Sequence, residues 1–369
     1  MNDITVGFIG FGLIGGSVAR ALKAGERPPR LIAYNYHKGS TPPGLALALK
    51  DGVLDAVTED LTDFSSCGII FLCAPVRKNI EYLSLLKPII TQDCILTDVG
   101  SVKDNIQEAA RKLGLLDRFI GGHPMTGSEK TGYENSYAML LENAYYILTP
   151  SWETPEHIVN TMLSLIQSFG SIPVLLDSKE HDAITAAISH LPHIIAAQLV
   201  NLIKDSGSLS DKMRLLAAGG FKDITRIASS SPVMWENICL TNADSIRRVL
   251  GQYIKALQAA DQALASRDSA SLYQLFDSAG AYRNSIPNSK KGAIRNVYEI
   301  YLDIIDEAGA IATVATLLAS NHISIKNIGI IHNREYEEGV LRIEFYDDTS
   351  RELALQLLKR HRYTIYDRQ

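Results

Sequence analysis

The stretch Ile4-Thr5-Val6-Gly7-Phe8-Ile9-Gly10-Phe11-Gly12-Leu13-Ile14-Gly15 decides the fold. Its first six residues form an apolar run with β-branched and aromatic side chains, the pattern of a buried strand. The next six spell GxGxxG, and residues 16–23 continue with helical spacing. Glycines set between a strand and a helix cradle a pyrophosphate. Gly10 allows the tight turn, Gly12 lets backbone approach the phosphates, and Gly15 lets the helix pack closely on the strand. Phe11, Leu13 and Ile14 fill the positions between them, and the helix N-terminus meets the negative charge. The acidic residue expected about 20 residues on is absent. Tyr34-Asn35-Tyr36-His37-Lys38 stands in its place. Asn35 can bond ribose hydroxyls without adding charge, and His37 and Lys38 suit a 2′-phosphate. The loop points to a dinucleotide and leaves NAD and NADP both open.

Working outward, 369 residues suit two or three domains. Through residue 176, strands are expected over 4–10, 31–34, 69–73, 95–98, 119–121, 145–148 and 172–176. Helical runs lie between most of them, such as 102–113 with Ser101 as its N-cap. Strand–helix alternation with apolar strands predicts a parallel, doubly wound sheet. Residues 177–295 turn helical: 179–204, capped by Asp177 or Ser178 and kinked at Pro192, then 211–218, 231–265 and 269–285. Pro287-Asn288-Ser289-Lys290-Lys291-Gly292 reads as a linker. Residues 296–369 return to strands over 298–303, 323–331, 340–346 and 363–366. Their helices cover 309–319 and a run to 360 opened by the capping box Thr349-Ser350-Arg351-Glu352. The expected architecture is a Rossmann-like α/β dinucleotide-binding domain (1–176), an all-α domain (177–295) and a small α+β domain of order βαββαβ (296–369).

The chain is 46% hydrophobic and 21% charged, ordinary for a soluble protein. A net charge of -5 carries no nucleic-acid footprint. No apolar run of ~18 residues and no basic leader is evident, so a cytoplasmic protein is expected, without membrane contact. The four cysteines form no CxxC pair, and three sit in or beside apolar strand-like runs, which suits buried free thiols.

Two strand-end segments carry chemistry. Gly121-Gly122-His123-Pro124-Met125-Thr126-Gly127-Ser128-Glu129 offers His123 as a general base at the carboxyl edge of the sheet. Asp98-Val99-Gly100-Ser101-Val102-Lys103 places Ser101 on the same crevice. On the kinked helix, Ser189-His190-Leu191-Pro192-His193 puts His190 and His193 on one face. Metal ligation competes there, but no Cys or carboxylate stands at supporting spacing. His181, beside Asp182, or His190 reads as a buried structural histidine. In Gly219-Gly220-Phe221-Lys222-Asp223-Ile224-Thr225-Arg226-Ile227-Ala228, Arg226 is a natural carboxylate fork, with an ion pair to Asp223 as the competing reading.

Taken together, GFGLIGGS (10–17), DVGSVK (98–103), GGHPMTGSE (121–129), SHLPH (189–193), GGFKDITRIA (219–228) and the following Met234-Trp235 resemble the prephenate/arogenate dehydrogenase family. The last segment resembles an ACT domain, through Asp306-Glu307-Ala308-Gly309 and Ile323-Ser324-Ile325-Lys326-Asn327-Ile328. Asn35 departs from the family, where Asp is common. The resemblance implies oxidative decarboxylation of prephenate to 4-hydroxyphenylpyruvate in L-tyrosine biosynthesis, with hydride passing to NAD or NADP and no metal. It implies that His123 takes the C4-hydroxyl proton while Ser101 holds hydroxyl and imidazole in register. Arg226 would grip the ring carboxylate and His193 and Lys222 the side-chain carboxylate, with Ser189 and Ser128 completing the substrate set. It further implies a homodimer through the helical domain, and L-tyrosine as an effector near Gly309 and Asn327. No chorismate mutase module precedes the dinucleotide domain, so the single-activity form is expected. Arogenate dehydrogenase and a non-catalytic tyrosine sensor remain alternatives. A 2-hydroxyacid or β-hydroxyacid dehydrogenase would leave the ACT-like tail unexplained.

Overall fold

The computed structural model describes residues 4–35, 41–127, 130–286, 298–304, 307, 309–331 and 340–366. The chain divides into two compact units at Gly292.

The first unit begins with a sheet of β1 (Thr5–Ile9), β2 (Arg30–Tyr34), β3 (Ala56–Thr58), β4 (Cys67–Leu72), β5 (Ile95–Asp98), β6 (Phe119–Pro124), β7 (Tyr145–Thr149) and β8 (Ile172–Leu175). Their spatial order is β3-β2-β1-β4-β5-β6-β7-β8. The order reverses between β1 and β4, which opens a ligand crevice at their carboxyl ends. Side chains alternate across the sheet. Val6, Phe8, Ile69 and Phe71 join a core with α1 (Leu13–Lys23), α2 (Pro43–Lys50) and, later in the chain, the helix at Glu156–Ser168. Ile9, Ile70, Leu72 and Leu96 join the opposite core with α3 (Val76–Leu86) and α4 (Asp104–Lys112). Both faces are covered, which is why the strands read as unbroken apolar runs.

Two expectations for this sheet need correction. The strands are parallel through β6, but β7 pairs antiparallel with β6, and β8 follows β7. A parallel return needs a crossover. Among its described residues, the segment between β6 and β7 has only the short 3₁₀ turns Tyr133–Asn135 and Ala138–Leu140, so the chain re-enters from the edge it left. Ser101 does not cap α4, which starts three residues later. The cap comes from a carboxylate distant in sequence, Asp182.

After α5 (Glu156–Ser168) come α6 (Ser178–Thr185), a π-helical turn (Ala186–His190) and α7 (Leu191–Lys204). The Asp177 side chain caps α6 by accepting from the amides of Lys179 and Glu180. Pro192, which has no N–H, lies at the start of α7, just past the wide turn. The helix Ser178–Lys204 contains an 18-residue window of mean hydropathy 1.4, long and apolar enough to cross a membrane by length and composition. That corrects the sequence reading, because the polar residues interrupt the apolar run without lowering the mean far. His181, Asp182 and His190 of this helix are buried against protein partners.

The helices α8 (Ser210–Leu216), α9 (Gly219–Thr225), α10 (Pro232–Thr241), α11 (Ala243–Ala265) and α12 (Ser269–Ser285) complete the unit. The expected helix over 231–265 is broken at Asn242, whose side-chain amide donates to the Asp182 carbonyl at 2.8 Å. Leu215, Leu216, Tyr273 and Phe276 leave an apolar surface exposed on these helices.

The second unit runs β9 (Tyr298–Asp303), α13 (Ala310–Ser320), β10 (Ile325–Ile331), β11 (Val340–Phe345), α14 (Asp348–Arg360) and β12 (Ile365–Tyr366). Its antiparallel sheet has the order β10-β11-β9-β12. Leu341, Ile343 and Phe345 share one face and pack in a single core with both helices. Asp347, not Thr349, caps α14, accepting from the Ser350 amide at 2.7 Å. The expected linker at 287–292 and the polar turn at 333–339 lie outside the described residues.

Candidate active site

Gly10 ends β1 with φ +83°, a left-handed conformation that favours glycine. Its amide donates to the Tyr34 carbonyl at 2.9 Å, which ties the turn to the end of β2 beside Asn35. A Cβ at Gly15 would stand 3.1 Å from the Gly10 carbonyl oxygen, so helix and loop pack tightly. A Cβ at Gly12 would meet nothing within 4 Å. Among the described residues no side chain caps α1. Open space at Gly12 and an uncapped helix N-terminus fit a dinucleotide pyrophosphate. Phe11 contributes only backbone to this loop. Its ring is buried, edge-on to Phe8 at 5.5 Å and stacked on Tyr133 at 5.4 Å. His37, Lys38, Ser128 and Glu129 lie outside the described residues.

His123 lies on β6 itself, paired with Ile147, because the strand continues past the two glycines to Pro124. That corrects the expected loop position. Gly121 and Gly122 let β6 pass close to its neighbour: a Cβ at Gly122 would stand 2.6 Å from the Asp98 carbonyl oxygen. Beneath them, the fully buried Lys103 ammonium meets the Asp98 carboxylate at 2.5 Å and the Gly122 carbonyl at 2.6 Å. Asp98 also accepts from the amides of Gly100 and Gly122. This ion pair clamps the segment of Ser101 to the strand of His123.

His123 Nδ1 stands 2.8 Å from His181 Nε2, and His181 Nδ1 stands 2.8 Å from Asp182 Oδ1. The Asp182 carboxylate also accepts the amides of Lys103 (2.8 Å) and Asp104 (2.9 Å), which caps α4. Burial above all, then the neighbouring His181 and Lys103, holds the His123 imidazole well below its ordinary 6.5. Burial lowers His181 as well, with Asp182 opposing. His123 is therefore a neutral base at neutral pH. Its Nε2 has no partner among the described residues.

Farther along the helix, His193 Nδ1 donates to the Ser189 carbonyl at 2.9 Å, and its ring stacks on Trp235 at 3.8 Å. Its Nε2 is left as an acceptor when the ring is neutral, and burial lowers its protonation. His190 is buried, held down to about 4, and takes the Asn242 amide on Nδ1. Its Nε2 and the Trp235 indole nitrogen are buried without partners. Lys222 and Arg226 are exposed, on α9 and the turn after it, which pack against α7. Ser101 is half-buried, and no hydrogen bond joins it to His123 among the described residues. Among those residues no cluster of three or more His, Cys, Asp or Glu could hold a metal. The four thiols are free, and burial pushes Cys67 and Cys94 up to about 12. In the second unit, Gly309 adopts φ +97° before α13, and Asn327 is exposed on β10.

Sequence reasoning missed Asp182, Lys103 and Asp98, and read His181 as structural. The adjacent His181-Asp182 pair was the available signal, but its partner lies 58 residues away.

Comparison with known proteins identifies the family. The family description "Prephenate dehydrogenase, nucleotide-binding domain" matches residues 18–174, and "Prephenate dehydrogenase, dimerization domain" matches 177–278. A prephenate dehydrogenase of Bacillus subtilis is 37% identical over 362 residues, 97% of this chain and 96% of that one. The crystal structure of prephenate dehydrogenase from A. aeolicus superposes with TM-score 0.71 at 29% identity, covering 77% of this chain and 98% of that one. An arogenate dehydrogenase structure from Synechocystis superposes with TM-score 0.67 at 28% identity, over 77% of this chain and 100% of that one. With a dinucleotide loop, a neutral histidine base at the sheet edge and a relative matching nearly end to end, the chain belongs to the prephenate dehydrogenase family.

Proposed function

We propose that the protein oxidatively decarboxylates prephenate to 4-hydroxyphenylpyruvate in L-tyrosine biosynthesis, with NAD as hydride acceptor. The observation that carries this reading is His123, a neutral imidazole near the carboxyl edge of a dinucleotide-binding sheet, whose Nε2 has no partner among the described residues. Gly10, Gly12, Gly15 and the N-terminus of α1 would hold the pyrophosphate, with Asn35 at the ribose. The bound nicotinamide supplies the hydride acceptor. His123 Nε2 takes the C4-hydroxyl proton as hydride leaves C4, and Ser101 orients that hydroxyl. Arg226 holds the ring carboxylate until it departs as CO2, and aromatisation drives the step. His193, Lys222, Ser189 and Ser128 surround the side-chain end. A neutral His193 presents an acceptor there, so gripping a carboxylate requires it to take a proton. That observation keeps the arogenate reading in play, because an ammonium would donate to the same nitrogen. The test is turnover of prephenate and arogenate, each with NAD and NADP. Turnover of arogenate alone would reverse the substrate assignment, and Asn35→Asp should shift preference toward NAD.

The three segments at 1–176, 177–295 and 296–369 are read as cofactor, dimerisation and regulatory domains of a cytoplasmic enzyme. The exposed apolar helices of the second suit a homodimer. The βαββαβ order of the third suits an ACT domain that binds L-tyrosine near Gly309 and Asn327. Equal inhibition by L-tyrosine of the full chain and of a chain ended at Gly292 would remove this regulatory role.

A further inference from the structure

The contacts among Asp182, His181 and His123 determine where the protons sit. Each oxygen of Asp182 accepts a backbone N–H, from Lys103 on Oδ1 and from Asp104 on Oδ2, so both oxygens act as acceptors here. The proton in the contact between His181 Nδ1 and Asp182 therefore belongs to the imidazole. A neutral His181 then has a bare Nε2. The 2.8 Å contact to His123 requires a hydrogen, and only His123 Nδ1 can supply it. In a neutral His123 this leaves the lone pair on Nε2, the ring nitrogen without a partner among the described residues. The groups facing His123 are His181 and His190 from the helical segment and Lys103 from the start of α4.

We infer that His181 and Asp182 are positioning residues that hold His123 in its Nδ1–H tautomer, so that Nε2 presents the lone pair to the substrate. This rests on His123 being the base of the proposed reaction. The same carboxylate caps α4, so one side chain sets both the tautomer of the base and the end of the turn that carries Ser101.

Full-length chain labelled with ¹⁵N-histidine tests this without turnover. The His123 ring signals are those that vanish in His123→Asn, and they should report an Nδ1–H imidazole. In Asp182→Asn, the amide nitrogen can donate to His181, which reverses both rings and moves the His123 proton to Nε2. That variant should lose ~10²–10⁴-fold in kcat on prephenate with little change in KM. His181→Leu removes the acceptor and should lose a comparable factor. His181→Gln should recover most of the loss, because its amide oxygen accepts the Nδ1–H. Both His181 variants keep the Asp182 cap on α4, so they stay informative where Asp182→Asn folds poorly. An Nε2–H tautomer in the wild type overturns the inference. So do unchanged kcat values in the folded variants, or equal losses in His181→Leu and His181→Gln. If the wild type fails to oxidise prephenate, the functional reading falls, while the tautomer measurement still decides the proton arrangement.

Discussion

Lys103→Met removes the buried ammonium while keeping most of the side-chain volume. Both Lys103 and Asp98 are fully buried, and Asp98 would keep only the amides of Gly100 at 2.9 Å and Gly122 at 3.3 Å. An uncompensated buried charge costs ~3–5 kcal/mol when its partner is removed. Against a typical total of ~5–15 kcal/mol, that is a large share of stability. Asp98→Asn combined with Lys103→Met leaves no buried charge, so the double variant should lose clearly less than the sum of the singles. Urea unfolding followed by tryptophan fluorescence measures this, since Trp152 and Trp235 both lie in the first unit. kcat should fall as well, because the Gly122 carbonyl beside His123 loses its donor. A loss below ~1 kcal/mol, the range of exposed pairs, would refute the reasoning, as would additivity in the double variant.

Gly12→Ala should leave the urea midpoint unchanged, because its Cβ meets nothing within 4 Å, yet raise KM for NAD by ~10-fold as the methyl crowds the pyrophosphate. An unchanged KM would put the cofactor elsewhere. A base works deprotonated, and burial holds His123 well below 6.5, so kcat should stay flat through neutrality and fall only well under pH 6.5. A limb at or above 6.5 would contradict this. Arg226→Ala should cost roughly 2–4 kcal/mol in kcat/KM, mostly through KM for prephenate. An unchanged KM would assign Arg226 a structural role.

The phosphate turn was legible because its chemistry is local: strand, glycines and helix are consecutive. The βαββαβ order of the tail was legible for the same reason, since alternation places Leu341, Ile343 and Phe345 on one face. The reversal of β7 was not, because it depends on the absence of a crossover helix between β6 and β7, which apolar periodicity does not report. The cap of α4 was misassigned to Ser101 because a capping oxygen next in sequence resembles one supplied from 78 residues away. The same distance hid Asp182 and Lys103 from the candidate site. A lysine at position 103 reads as a surface residue until the fold places Asp98 and Gly122 around it. The place of His123 on a strand was not legible, because Gly-Gly breaks the strand pattern while permitting the close approach the strand needs.

The most direct test of the central claim is one incubation of the purified full chain with prephenate and NAD, run beside His123→Ala. The account predicts 4-hydroxyphenylpyruvate, CO2 and reduced nicotinamide in equal amounts from the wild type. It predicts a kcat lower by ~10²–10⁴-fold in the variant, with KM little changed. A wild type that leaves prephenate untouched, or a variant within about threefold of it in kcat, would contradict the account.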